Sequence, residues 1–273
     1  MGKFKIGLQL YSVRDKMAED MEATLKAVKE MGYDCVEFAG YFGKTAEEVR
    51  KLLDDIGLEC ISVHQAPGVF KTDYEASVKY LKTIGAKYVA IPWINKEDLV
   101  TDEFIAFVKD LGTKLKNDGL VLLYHNHDFE FNKYEGKFVL DWLYETVDAS
   151  LLETEIDTCW VRYAGYDPAE YVKKYTGRAP IVHLKDFKCS AFDGTPVYGL
   201  IDEKGENNED GKDKKADFMF QPVGHGVQDV PSIIAAAEAA GAHTLIVEQD
   251  KSDDRPSLES VKMSIDYLKS LGL

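Results

Sequence analysis

Three stretches of this 273-residue chain end in groups that can do chemistry. Ile181-Val182-His183-Leu184-Lys185-Asp186 is an apolar run whose polar residues crowd its far end. Glu155-Ile156-Asp157 and Ile246-Val247-Glu248 finish the same way. Side chains alternate along a strand, so His183 and Lys185 share a face, and Glu155 and Asp157 lie together opposite Ile156. An imidazole with two or three carboxylates is the donor set of a divalent cation. Such mixed sites suit Mn2+, Zn2+, Fe2+ or Co2+ better than Ca2+, and Mg2+ is also admitted. Asp157, His183 and Glu248 are the expected metal ligands. His125 and His127 compete to be the fourth.

One such ion polarises a carbonyl and acidifies the neighbouring C–H of a hydroxy-ketone. Glu248 is the expected base. Lys185 and Glu155 are expected as acid or as holders of the enediolate charge. Gln9, Tyr11, Glu37, His64, Trp93 and His127 are expected to line the substrate. Each residue alone also has a structural reading: Glu155, for example, could simply pair with Lys185.

These groups need a frame that gathers distant strand ends. Strand-like and helix-like patterns alternate along the chain, which favours parallel strands with crossover helices. The strands read as Lys5–Leu10, Cys35–Phe38, Leu58–His64, Lys87–Ile91, Leu120–His125, Glu153–Thr158, Ile181–Asp186 and His243–Glu248. Between them, Thr45-Ala46-Glu47-Glu48 resembles a capping box ahead of a Val49, Leu52, Leu53, Ile56 stripe. A long helix is expected over about Lys96 to Asn117, and another from Pro168 to Tyr175. Eight strand–helix units without a linker predict an α/β fold, a single (β/α)8 TIM barrel over residues 1–273. An open doubly wound sheet would be announced by a glycine-rich first turn, which Gln9-Leu10-Tyr11-Ser12 lacks. In a barrel, Gln9, Tyr11, Glu37, His64, His125, His127, Glu155, Asp157, His183, Lys185 and Glu248 face inward at one end, while Ile61 and Val63 face the helices. Residues 188–221 break the pattern and read as a long loop after strand seven, either a lid or a subunit contact in a homo-oligomer.

The net charge of −15 argues against nucleic acid and anionic membranes as partners. Cys35, Cys60, Cys159 and Cys189 show no close spacing, and no apolar run is long enough to span a bilayer. A cytoplasmic protein with a small-molecule substrate is the expectation.

Five segments resemble, in order, the sugar phosphate isomerase/epimerase family: Leu8-Gln9-Leu10-Tyr11-Ser12-Val13-Arg14, Val36-Glu37-Phe38-Ala39-Gly40, Tyr124-His125-Asn126-His127-Asp128-Phe129-Glu130, Val182-His183-Leu184-Lys185-Asp186 and Val247-Glu248-Gln249-Asp250. This is the xylose isomerase-like TIM-barrel group, which also holds ketose 3-epimerases, inosose dehydratases and zinc-type AP endonucleases. The resemblance implies four ligands, Glu, Asp, His and Glu, from strands five to eight. Asp157, His183 and Glu248 match the last three, and the first falls on His125, a departure. Epimerases of the group use the two glutamates as an acid/base pair across the sugar. A histidine there shifts the expectation toward isomerisation, dehydration or β-elimination by one carboxylate with a histidine or lysine. The implied activity is a metal-dependent isomerase or epimerase of a sugar or sugar derivative, acting through an enediolate. A lyase or dehydratase on a keto-sugar or keto-inositol is the alternative. The family name also implies a phosphate, for which Gly224-His225-Gly226 is a candidate cradle.

Overall fold

The computed structural model describes residues 4–189 and 218–273. Eight parallel strands close into one barrel: β1 (Lys5–Gln9), β2 (Cys35–Phe38), β3 (Glu59–His64), β4 (Tyr88–Ile91), β5 (Val121–His125), β6 (Glu153–Asp157), β7 (Ile181–Leu184) and β8 (Thr244–Val247). Each strand pairs with its sequence neighbours, and β8 closes onto β1. Closure leaves no unpaired strand edge in the barrel. The expected single (β/α)8 barrel is therefore the fold.

Alternation sorts the core into two layers. Leu8, Val36, Val89, Leu122, Ile156 and Val182 belong to the large cluster between strands and helices. Cys35, Ile61, Ala90, Leu123, Ile181 and Ile246 fill the barrel interior. Ile61 is a correction, since strict alternation turned it outward. The pairing of β2 with β3 skips from Cys60 to Ser62, a bulge that adds one residue to β3. The extra residue reverses parity, so Ile61 joins the interior while Ser62 and His64 still point to the mouth.

Helix starts follow local capping. Thr45 and Glu48 form the expected capping box: the Glu48 amide donates to Thr45 Oγ1 at 3.2 Å, and the Thr45 amide donates to Glu48 Oε2 at 2.8 Å. The long helix begins at Asp102 rather than near Lys96. Thr101 decides this, because its hydroxyl accepts from the Phe104 amide at 3.2 Å and caps the first turn. The ends of the expected 188–221 loop are ordered, with Asp186–Lys188 pairing antiparallel to Met219–Gln221. Residues 190–217, with most of that loop, lie outside the described residues. No helix among the described residues is long and apolar enough to cross a membrane.

Gly7 lies on β1 against the interior residues Cys35 and Ile246. A Cβ there would lie 2.6 Å from Ile246 Cδ1 and 3.0 Å from Cys35 Sγ. Gly7→Val is expected to destabilise the barrel by roughly 1–3 kcal/mol through overpacking. A thermal melt checks this, and the melting temperature should fall by several degrees.

Candidate metal centre

The site sits in the layer of side chains at the C-terminal ends of the strands. The ladder places its members side by side: Gln9 opposite Glu37, His125 opposite Glu155, and Asp157 opposite His183. All six are at most 2% exposed.

Each acid is aimed by backbone around it. Asp157 caps the short helix Thr158–Tyr163, its Oδ1 accepting from the Cys159 and Trp160 amides at 2.8 and 3.4 Å. That fixes the carboxylate and leaves Oδ2 facing the barrel axis. The Asn126 carboxamide bridges to the same residue, accepting from the Asp157 amide at 3.0 Å and donating to its carbonyl at 3.4 Å. Glu130 braces the neighbouring turn, accepting from Tyr124 Oη at 2.7 Å and from the His127 amide at 2.8 Å.

Two networks share the centre. On one side, Glu155 Oε2 lies 2.7 Å from His64 Nε2, and Glu37 Oε2 lies 3.1 Å from that same nitrogen. Gln9 Nε2 donates to Glu37 Oε2 at 2.7 Å. On the other side, Lys185 Nζ contacts Asp250 Oδ1 at 2.6 Å, and Glu248 Oε2 and Asp157 Oδ2 at 3.3 Å each. Glu155 therefore pairs with His64, and the alternative pairing with Lys185 does not form. His183 spans both halves, its Nδ1 at 3.0 Å from Glu248 Oε2 and its Nε2 at 2.9 Å from Glu37 Oε2.

Charge follows from these contacts. Burial opposes the positive charge on His64, but Glu37 and Glu155 outweigh it and push the pKa up to about 10. His183 rises well above the usual histidine range for the same reasons. Burial together with the cationic His183 and His64 holds His125 well below that range, so its ring is neutral. Burial also disfavours the charge on Lys185, yet Asp250, Glu248 and Asp157 keep it an ammonium. That argues against Lys185 as a base and for a fixed positive charge.

One ligand atom from each of His125, Asp157, His183 and Glu248 lies within 4.8 Å of the other three. A second set, His64, His125, Glu155 and His183, meets the same spacing. Both contain His125, and neither contains His127. The first set suits an ion better, because in the second His64 and Glu155 already satisfy each other as a charged pair. Asp157 Oδ2 is buried without a hydrogen bond, 3.5 Å from His125 Nε2 and 3.3 Å from the Lys185 ammonium. His125 Nε2 and His183 Nδ1 face the same place, 3.8 and 3.0 Å from Glu248 Oε2. A buried carboxylate oxygen with further oxygen and nitrogen donors around it fits a cation.

The remaining expected residues form a rim. His127 lies one ring outward of His125, centroids 5.2 Å apart, and Trp93 meets His127 edge-on at 4.7 Å. Tyr11 lies beyond the end of β1, in the turn Leu10–Val13, rather than on the strand face. Gln9 Oε1 accepts from its amide at 3.0 Å, and the Arg14 guanidinium lies 4.0 Å over its ring. Sequence reasoning missed Asp250, although it shares strand parity with Glu248 two residues earlier. Asn126 and Glu130 entered the sequence reading only as members of the family-like segment, because their contacts with Asp157, the His127 amide and Tyr124 Oη are set by the fold.

The phosphate cradle does not form. Asp186 takes the amides of that turn: Oδ2 accepts from Gly224 and Gly226 at 3.0 Å, and Oδ1 accepts from Val227 and Gln228 at 2.9 and 3.1 Å. A Cβ on Gly226 would sit 2.1 Å from Asp186 Oδ1, so only glycine permits this approach. The carboxylate ties the start of the 186–221 excursion to its end.

Comparison with known proteins bears out the resemblance. The sequence profile of the xylose isomerase-like TIM barrel family matches residues 25–271, and the chain belongs to that family. An inosose dehydratase of Geobacillus kaustophilus is 26% identical over 195 residues, 61% of this chain and 62% of that protein. A sugar phosphate isomerase/epimerase of Parabacteroides distasonis superposes with a TM-score of 0.78 at 21% identity, covering 99% of this chain and 95% of that one. The IOLI protein, crystallised with a bound zinc atom, superposes with a TM-score of 0.66 at 15% identity over 98% and 96% of the two chains. At these identities the structural matches show the shared fold.

Asp186→Ala would leave the buried Phe187 amide and four part-buried amides of the turn without their acceptor. It is expected to cost about 3 kcal/mol or more of stability, read from denaturant unfolding.

Proposed function

We propose that the protein is a metal-dependent dehydratase acting on a keto-sugar or keto-inositol. The observation that carries this is the convergence of His125, Asp157, His183 and Glu248 on one buried point. His125 rather than His127 is the fourth ligand in this reading. A bound divalent ion supplies Lewis-acid polarisation of a substrate carbonyl, which lowers the pKa of the adjacent C–H. Similarity to an inosose dehydratase supports the reaction class.

The protein's own groups do the rest. Burial opposes charge on Glu248, but Lys185 and His183 keep it ionised, with its carboxyl well below the usual range. Its contacts with His183 and Lys185 fall on Oε2, leaving Oε1 to take a proton from carbon. Glu248 then returns that proton to the neighbouring hydroxyl, which leaves as water while the C–H and C–O bonds give way to a double bond. The Lys185 ammonium holds the negative charge that builds on the substrate oxygen. An imidazole, His125, stands where the resemblance would place the first glutamate of an epimerase of the group. Proton chemistry from one side is therefore favoured.

Isomerisation or epimerisation is the second reading. Glu155 Oε1 is buried without a hydrogen-bond partner and offers a second carboxylate. Mass spectrometry separates the two on the Mn2+- or Zn2+-loaded protein given a keto-inositol or a ketose. Dehydration gives a product lighter by one water. Epimerisation gives unchanged mass with deuterium entering from D2O. No reaction with any divalent ion would defeat both. Asp157→Asn is expected to lower kcat/KM by about 100-fold or more, since it removes a ligand and its charge.

Metal binding should also release a proton. Without metal, His183 is protonated, its pKa held well above 6.5. A ligating imidazole must be neutral, so affinity should rise with pH, by up to ~10-fold per unit for one proton. Calorimetry in two buffers of different ionisation enthalpy measures the proton count directly.

A further inference from the structure

The Lys185 ammonium is buried beside the expected ion, and three carboxylates face it. Asp157 Oδ2 and Glu248 Oε2 each lie 3.3 Å from Nζ, and Asp250 Oδ1 lies 2.6 Å away. The rings of Trp160 and Phe220 flank the same nitrogen, with centroids at 5.0 and 5.4 Å. Asp157 and Glu248 belong to the donor set for the ion, whereas Asp250 belongs to neither donor set. The shortest contact of Lys185 therefore goes to the one acid that the ion does not use.

That division matters because ion and ammonium draw on the same two oxygens. A buried cation is stable only against nearby negative charge. With Asp157 and Glu248 as its sole acids, Lys185 would weaken their hold on the ion. Asp250 gives the ammonium a partner of its own.

Asp250 is itself fixed from the opposite end of the chain. Arg14 Nη1 donates to the carbonyls of Tyr11 and Asp250 at 2.9 and 2.7 Å. The Gln249 amide donates to Ser12 Oγ at 3.0 Å. The bonds from Arg14 to Asp250 and from Gln249 to Ser12 join residues 236 and 237 positions apart. They pin the run after β8 against the turn after β1, so the carboxylate is placed by barrel closure.

We propose that Asp250 is a positioning residue for the metal centre: it draws the Lys185 ammonium off Asp157 and Glu248, and so sets the affinity for the divalent ion. The inference rests on the reading that those two acids bind an ion. It adds that a carboxylate outside the donor set controls that binding through Lys185. Without Asp250, Lys185 turns to the two ligand acids and competes with the ion for their charge. A carboxylate can also help an ion by its own charge alone. That direct effect is the same with or without Lys185, whereas an effect carried by Lys185 disappears with it.

A double-mutant cycle separates the two. Mn2+ and Zn2+ are titrated calorimetrically into the full-length chain, Asp250→Ala, Lys185→Met and the double variant, with thermal melts to confirm folding. Asp250→Ala is expected to weaken ion binding ~10-fold or more. In the Lys185→Met background that loss should shrink by ~5-fold or more, the coupling of residues in contact. Asp250→Asn keeps the shape and removes the charge, and should weaken binding in the same direction. If Asp250→Ala does not fold, Asp250→Asn carries the same cycle. An equal loss in both backgrounds overturns the proposal, because Asp250 would then act by its own charge. Unchanged affinity in the Asp250 variants overturns it too. A wild-type protein that binds neither ion defeats the metal reading and this role together. Ion binding with the expected coupling but no turnover removes the proposed reaction and leaves the role of Asp250 standing.

Discussion

Everything at the mouth of this barrel depends on balancing buried charge. Glu37, Glu155, Asp157, Glu248 and Asp250 are all within 8% of full burial, and Lys185, His64 and His183 stand among them. Carboxylates removed from water must be paired, protonated or bound to a cation. Glu155 and Glu37 are paired through His64, and Asp250 is paired with Lys185. Asp157 shows the strain of what remains: burial raises its pKa to about 6 despite Lys185 nearby. A cation at that point relieves the excess negative charge. The metal reading thus grows from electrostatics as well as donor geometry.

The scaffold meets this demand with anchors on backbone amides and on residues outside the reacting set. Asp157 is held by helix amides and by the Asn126 carboxamide, and the His127 turn is held by Glu130. Asp186, next to Lys185, gathers amides from a turn about forty residues later. Such anchors fix the orientation of the reactive groups without consuming their free atoms. They also explain why a glycine-rich turn that looks suited to an anion is closed to one here: the protein carries its own carboxylate in that place.

Much of the site could be read from strand parity. On β5 to β7, His125, Glu155, Asp157 and His183 lie on the strands as parity placed them, because an interior lined by one face of each strand admits only one phase. His127, Lys185 and Glu248 lie just past the ends of β5, β7 and β8. The method failed where the backbone left ideal geometry. The bulge in β3 reversed the phase for Ile61, and β1 ended at Gln9, which put Tyr11 in a turn. The start of the long helix moved to Asp102, because the Thr101 hydroxyl cap outweighed weak periodicity at Lys96 to Val100.

By itself the sequence determined the eight-fold alternation, the single barrel, and the residue types crowded at its strand ends. Period and composition are local properties, and they survive without knowledge of partners. Only the tertiary structure decided which acid pairs with which base, that His125 rather than His127 reaches the centre, and that Asp186 fills the supposed anion turn. Those outcomes depend on distances between groups far apart in the chain, and closure of the barrel sets them.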